Sequence, residues 1–126
     1  MKILVTGGYG FIGSNLVKKL LSSKNLSIYN IDKLGYASNS TYIEDSIDES
    51  NKNNYHFFEL DLVQEKELEI VFNNIKPDLV MHLAAESHVD RSISSSRIFI
   101  ESNIIGTYNL LESSRKYYEG LNVDEK

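Results

Sequence analysis

Cysteine is absent from the 126-residue chain, which excludes disulfides, cysteine metal sites and thiol catalysis. Long apolar runs are missing too. None approaches the roughly 18 residues of a membrane-spanning helix, and the apolar stretch within Met1–Val5 is too short for a signal peptide. Basic residues are in deficit, with 13 Lys and Arg against 18 Asp and Glu and a net charge of −5. A generic nucleic-acid binder would be basic, so that class is disfavoured. No segment repeats. The remaining composition, 41% apolar and 25% charged, is that of an ordinary soluble protein. One domain is the natural count at this length, and the cytoplasm is the expected location.

Against this plain background, Thr6–Gly13 stands out as TGGYGFIG, between the apolar run Lys2–Val5 and the amphipathic stretch Ser14–Leu21. A strand, a glycine-rich turn and a helix follow one another. Gly7, Gly10 and Gly13 have the spacing of a dinucleotide fingerprint: one glycine for the tight turn, one for backbone approach to the pyrophosphate, one for close helix packing. Free N–H groups at the helix start then face an anion. The run Leu26–Ile31 reads as the next strand and ends at Asp32, the acidic position that accepts from the adenosine ribose. A carboxylate there repels a 2′-phosphate, so NAD is favoured over NADP, with Lys33 pulling slightly the other way.

Patterning predicts strands over about Lys2–Thr6, Leu26–Ile31, His56–Leu60 and Asp78–Leu83. Helices are predicted over about Phe11–Ser22, with Phe11, Ile12, Leu16, Val17, Leu20 and Leu21 as its apolar stripe, over Gln64–Asn74 and over Ile98–Tyr118. A short helix within Ser40–Ser50 is optional. The alternation argues a Rossmann-like, doubly wound parallel α/β sheet, incomplete at about four strands. Gly7–Gly13, Asp32, Asp61 and Leu83–Ser87 all follow strands, and ligands in such sheets bind at the carboxyl ends. Asp61 and Leu62 then suit an adenine, the alternative for Asp61 being a helix cap.

Three segments together, TGGYGFIG at 6–13, Asp61-Leu62 and HLAA at 82–85, resemble the extended short-chain dehydrogenase/reductase superfamily. More narrowly, HLAAESHVDRSI at 82–93, FIESNIIGTYNLLE at 99–112 and DKLGYASN at 32–39 resemble the dTDP-glucose 4,6-dehydratase family. The resemblance implies tightly held NAD, a nucleotide-sugar substrate and a full-length homodimer. It also implies a reaction in which hydride leaves C4 of the sugar for NAD⁺, water is eliminated across C5 and C6, and the hydride returns to C6.

Residue by residue, the resemblance implies Phe11 and Ile12 on the pyrophosphate, and Asp32, Lys33, Leu34 and Gly35 around the ribose. Asp61 and Leu62 fall to the adenine. Leu83, Ala84, Ala85, Glu86 and Ser87 fall to the nicotinamide side, with Ser87 also on the sugar and Ser102 facing the cofactor. Two positions depart from the family pattern: Gly35 replaces a usual threonine, and Ser38 a usual glycine. His88, Asp90 and Arg91 read as a polar, substrate-positioning loop, because no nucleophile stands beside them.

No catalytic residue and no metal ligand is assigned. The superfamily's Tyr-x-x-x-Lys pair occurs only as Tyr29 and Lys33, on a strand, where four residues span about 13 Å and the two cannot cooperate. The family's Thr-Asp-Glu segment does not occur. The expectation is that residues 1–126 form an NAD-binding domain truncated before the fifth strand, with the catalytic and substrate regions absent and no activity alone. An open edge at strand four and uncovered apolar surface on the last helix are expected to make it marginally stable or self-associating. The alternatives are a related nucleotide-sugar epimerase or decarboxylase, and a non-catalytic NAD-binding module.

Overall fold

The computed structural model describes residues 1–122, which form two compact units. The first comprises Met1–Leu60 with Pro77–Ala84. It holds β1 (Lys2–Thr6), α1 (Phe11–Leu21), β2 (Ser27–Asp32), α2 (Thr41–Glu44), a 3₁₀ turn (Lys52–Asn54), β3 (Tyr55–Glu59) and β4 (Leu79–His82). All four strands are parallel, in the order β3-β2-β1-β4. The chain therefore steps one way from β1 to β3 and then reverses to place β4 on the other side of β1. That reversal is a topological switch point, where loops diverge and leave a crevice at the carboxyl edge. Strand order and direction match the incomplete Rossmann-like α/β fold expected from patterning.

Burial explains which apolar residues the strands carry. Ile3, Val5 and Ile28 point to one face and pack with Val17 and Leu21 of α1, Ile43 of α2 and Tyr9. Leu4 and Ile31, the alternate residues, are buried as well. In α1 the stripe is narrower than the sequence suggests. Val17 and Leu21 are buried and Leu16 and Leu20 partly so, but Phe11 and Ile12 in the first turn are 80% and 70% exposed. Core packing does not account for these two residues. Tyr29 stacks on His56 of β3 with ring centroids 4.7 Å apart, a cross-strand pair that gives it a structural role.

Beneath the glycine turn lies a polar relay. Asn30 on β2 is fully buried; its Oδ1 accepts from the Gly8 amide at 3.0 Å and its Nδ2 donates to the Tyr55 hydroxyl at 3.0 Å. Burial, and then a hydrogen bond with Tyr9, push the Tyr55 phenol well above its ordinary pKa.

The second unit comprises Asp61–Lys76 and the residues from Ala85 on. It holds α3 (Glu65–Ile75), α4 (Val89–Ser94), α5 (Ser96–Phe99), a π-helical segment (Ile100–Ile105) and α6 (Gly106–Gly120). Phe72 of α3 meets Tyr117 of α6 edge-on at 5.6 Å, and buried Asn109 of α6 donates to the Leu62 carbonyl at 2.9 Å. Lys116 lies 3.3 Å from Glu69 and 3.8 Å from Glu65, exposed pairs of the kind that contribute only about 0–1 kcal/mol each. α3 ends at Lys76 in the left-handed region, just before Pro77.

Two features differ from the sequence reading. Val89–Ser94 is a helical turn and not a loop: His88 is extended and its carbonyl accepts from the Arg91 and Ser92 amides. The single long helix is instead α5, the π-helical segment and α6 in succession. Residues 123–126, next to the expected truncation before a fifth strand, lie outside the described residues.

Replacing Asn30 by leucine leaves the buried Gly8 amide without its partner, while the Tyr55 hydroxyl keeps its bond with Tyr9. We expect a loss of roughly 1–3 kcal/mol, the cost of one buried unsatisfied group, read as a lower urea midpoint. An unchanged midpoint would show that Asn30 is not the support of the turn.

Candidate functional site

The glycine turn is shaped by what approaches it. Gly7 has φ +72°, and a Cβ there would lie 2.6 Å from the Ala84 backbone nitrogen. Any side chain would therefore collide with the segment leaving β4 while also straining the backbone. A Cβ on Gly13 would strike the Gly7 carbonyl oxygen, so α1 packs directly on the turn. Gly10 is the extended N-cap of α1. No side chain caps that helix and its first turn carries no acid, whereas Lys18 and Lys19 occupy the last turn. The arrangement favours an anion at the amino end.

Asp32 closes β2 and is buried, 5% exposed. Its Oδ2 accepts from the Tyr9 amide at 3.0 Å, and its Oδ1 accepts from the Leu34 amide at 2.9 Å and the Ser38 hydroxyl at 2.7 Å. One carboxylate thus ties the glycine turn to the loop after β2. Leu34 is held at φ +53°, a left-handed conformation unfavourable for a non-glycine residue. The Asn39 amide donates to the Tyr9 carbonyl at 2.9 Å and fastens the far end of the loop. Lys33 and Gly35 lie partly buried in the same loop.

Where β4 ends, the Leu83 amide donates to the Thr6 carbonyl and the Ala84 amide to the Thr6 hydroxyl oxygen at 3.3 Å. Thr6 Oγ1 also lies 2.6 Å from His82 Nδ1. The direction of this bond follows the histidine tautomer, since a hydroxyl can both donate and accept. Desolvation holds the His82 pKa below the ordinary histidine range.

In the second unit, Asp61 Oδ1 accepts from the Val63 amide at 3.2 Å, and Gln64 is the N-cap of α3. Asp61 therefore shapes the turn before the helix without capping it. Leu62 is buried, and its carbonyl is engaged by Asn109. Glu86 is clamped through its backbone: its amide donates to Asn103 Oδ1 at 2.8 Å, and Asn103 Nδ2 donates to its carbonyl at 3.0 Å. Ala85 and Ser87, on either side, are exposed. Ser102 lies in the π-helical segment, a local geometry frequent at functional sites. Asn103 and Asn109 escaped the sequence reading, because no local spacing links them to Glu86 or Leu62. His88, Asp90 and Arg91 are exposed. Among the described residues no cluster of potential metal ligands occurs.

Because the folded-state pKa of His82 is lowered from 6.5, the unfolded chain takes up its proton first. The corresponding stability is complete above pH 6.5 and is lost as pH falls through the folded-state value. Urea melts between pH 7.5 and 5 should show a fall on the acid side that is smaller in His82→Gln. Identical slopes in the two proteins would show that His82 is not the group responsible.

Comparison with known proteins adds the family. A family model described as GDP-mannose 4,6 dehydratase matches residues 4–125. The dTDP-glucose 4,6-dehydratase of Salmonella typhimurium is 50% identical over 126 residues, all of this chain and 34% of that protein. The corresponding enzyme of Neisseria meningitidis is 48% identical over 118 residues, 94% of this chain and 32% of that protein. The chain thus spans about a third of the length of these curated relatives. Among solved structures, dTDP-glucose 4,6-dehydratase from Streptomyces venezuelae with NAD bound superposes with a TM-score of 0.82 at 34% identity, over 94% of this chain and 37% of that one. A Thermus thermophilus UDP-glucose 4-epimerase complex with NAD gives 0.77 at 33% identity, over 94% and 35%. With the family model matched over nearly its whole length, the chain belongs to the GDP-mannose 4,6 dehydratase family.

Proposed function

We propose that this chain is the NAD-binding portion of a nucleotide-sugar 4,6-dehydratase acting on dTDP-glucose. The observation that carries the reading is the buried carboxylate of Asp32 at the end of β2, bonded directly to the glycine turn, in a chain 50% identical to a dTDP-glucose 4,6-dehydratase. The residues fit the cofactor: the turn has no Cβ at Gly7 or Gly13, the α1 amino end is uncapped, and an anionic acceptor stands at the ribose position. NAD supplies a hydride acceptor and donor.

The chain's own residues hold and orient. Gly7, Gly10 and Gly13 with exposed Phe11 and Ile12 take the pyrophosphate, and Asp32, Lys33, Leu34 and Gly35 take the ribose. Leu83 and Ala84, carried over from the family pattern, serve the nicotinamide side. The roles of Asp61, Leu62, Ala85, Glu86, Ser87 and Ser102 are carried over in the same way, Ser87 also toward the sugar. Acid–base chemistry belongs to the Tyr-x-x-x-Lys and Thr-Asp-Glu groups of the whole protein, which this stretch does not contain on a helix or at all.

Calorimetry should show NAD⁺ binding to the 126-residue chain with NADP⁺ weaker. Asp32→Asn should bind NAD⁺ roughly ten- to a hundredfold more weakly, since hydrogen bonds to a charged group are lost. Equal affinity for NAD⁺ and NADP⁺ would contradict the role given to Asp32.

For the whole protein we propose a cytoplasmic homodimer. Exposed Ile104, Tyr108, Leu111 and Tyr118 supply apolar surface along the last helix for such pairing. A longer product of the same reading frame that contains both missing motifs should convert dTDP-glucose to its 4-keto-6-deoxy product and sediment as a dimer, while residues 1–126 alone should be inactive. Turnover by the 126 residues, or a monomeric active protein, would overturn these points.

A further inference from the structure

Carboxylate oxygens offer about four hydrogen-bond acceptor positions in all. At Asp32 the chain itself fills three of them. The amides of Tyr9 and Leu34 are backbone donors fixed by the turn and the loop. The Ser38 hydroxyl, 2.7 Å from Oδ1, is the only one of the three that a side-chain rotation can release. One acceptor position is left, while a ribose presents two adjacent hydroxyls.

We propose that Ser38 is a specificity-determining residue that occupies, as an internal stand-in, the position one ribose hydroxyl needs on Asp32. The inference rests on the reading of Asp32 as the ribose acceptor. Binding then exchanges one hydroxyl donor for another at Oδ1, so the second ribose hydroxyl brings almost no net gain. Removing the Ser38 hydroxyl leaves the Tyr9 and Leu34 bonds and frees the position. The loop keeps its other fastenings: the Ser38 amide still donates to the Gly35 carbonyl at 3.0 Å, and the Asn39 amide to the Tyr9 carbonyl. Ser38 is thus a setting on affinity, separable from the support of the loop.

The test is calorimetric titration of NAD⁺ into the 126-residue protein and into Ser38→Ala and Ser38→Gly. It is repeated with NAD⁺ analogues lacking the 2′ or the 3′ hydroxyl of the adenosine ribose. Ser38→Ala should bind NAD⁺ about three- to tenfold more tightly, the equivalent of one hydrogen bond. The gain should disappear with the analogue that lacks the hydroxyl concerned, a dependence that general loosening of the loop would not produce. Ser38→Gly should tighten binding in the same sense and so guards against an effect peculiar to alanine. Binding of NAD⁺ with no gain, or with a loss, in both variants overturns this inference alone. Binding of NAD⁺ by none of the three proteins overturns the ribose reading, and this inference with it.

Discussion

At Gly7 the chain leaves β1 with a positive φ while the backbone of Ala84 passes close above it. Two neighbouring parallel strands, β1 and β4, are thus joined at their carboxyl ends by a contact that leaves no room for a side chain. The loops diverge there because the sheet order reverses there. The geometry of the glycine turn depends on that contact. It sets the path of the turn, the turn sets where α1 begins, and the start of α1 sets where its unpaired amides emerge.

A turn made largely of glycine has little stiffness of its own, since each glycine adds backbone freedom that folding must remove. Its stiffness comes from buried polar side chains on β2. Asn30 takes the Gly8 amide and Asp32 the Tyr9 amide, successive turn amides held by alternate residues of one strand. The same carboxylate reaches outward to Leu34 and Ser38. Asp32 is therefore both a girder of the turn and the candidate acceptor for the ribose. The two uses compete for the same lone pairs.

Much of the fold was legible because its signals are local. The four strands are short apolar runs with punctuation on either side, and the boundaries observed, such as Ser27–Asp32 and Leu79–His82, shift by only a residue or so from those expected. The short helix α2 was legible only as an option, and the helical turn at Val89–Ser94 was not legible at all: it is six residues long with no buried stripe. Patterning also overstated the buried face of α1, since Phe11 and Ile12 fit the helical period yet stay exposed. Periodicity reports which residues share a face. It does not report where that face runs past the edge of the sheet.

The sequence by itself determined the order of the elements, the parallel α/β class, the glycine spacing and the acidic residue at the end of β2. These depend on residues close together in the chain, whose conformational preferences and polarity act without distant partners. Only the tertiary structure decided which long-range partners those residues take: Ala84 over Gly7, Thr6 against His82, Asn109 on the Leu62 carbonyl and Asn103 around Glu86. The polar pairings among these join groups 17 to 76 residues apart in the chain, and no local pattern encodes which donor will arrive at which acceptor. The lone-pair count at Asp32 belongs to the same class, because it becomes visible only when the turn and the loop are folded onto one carboxylate.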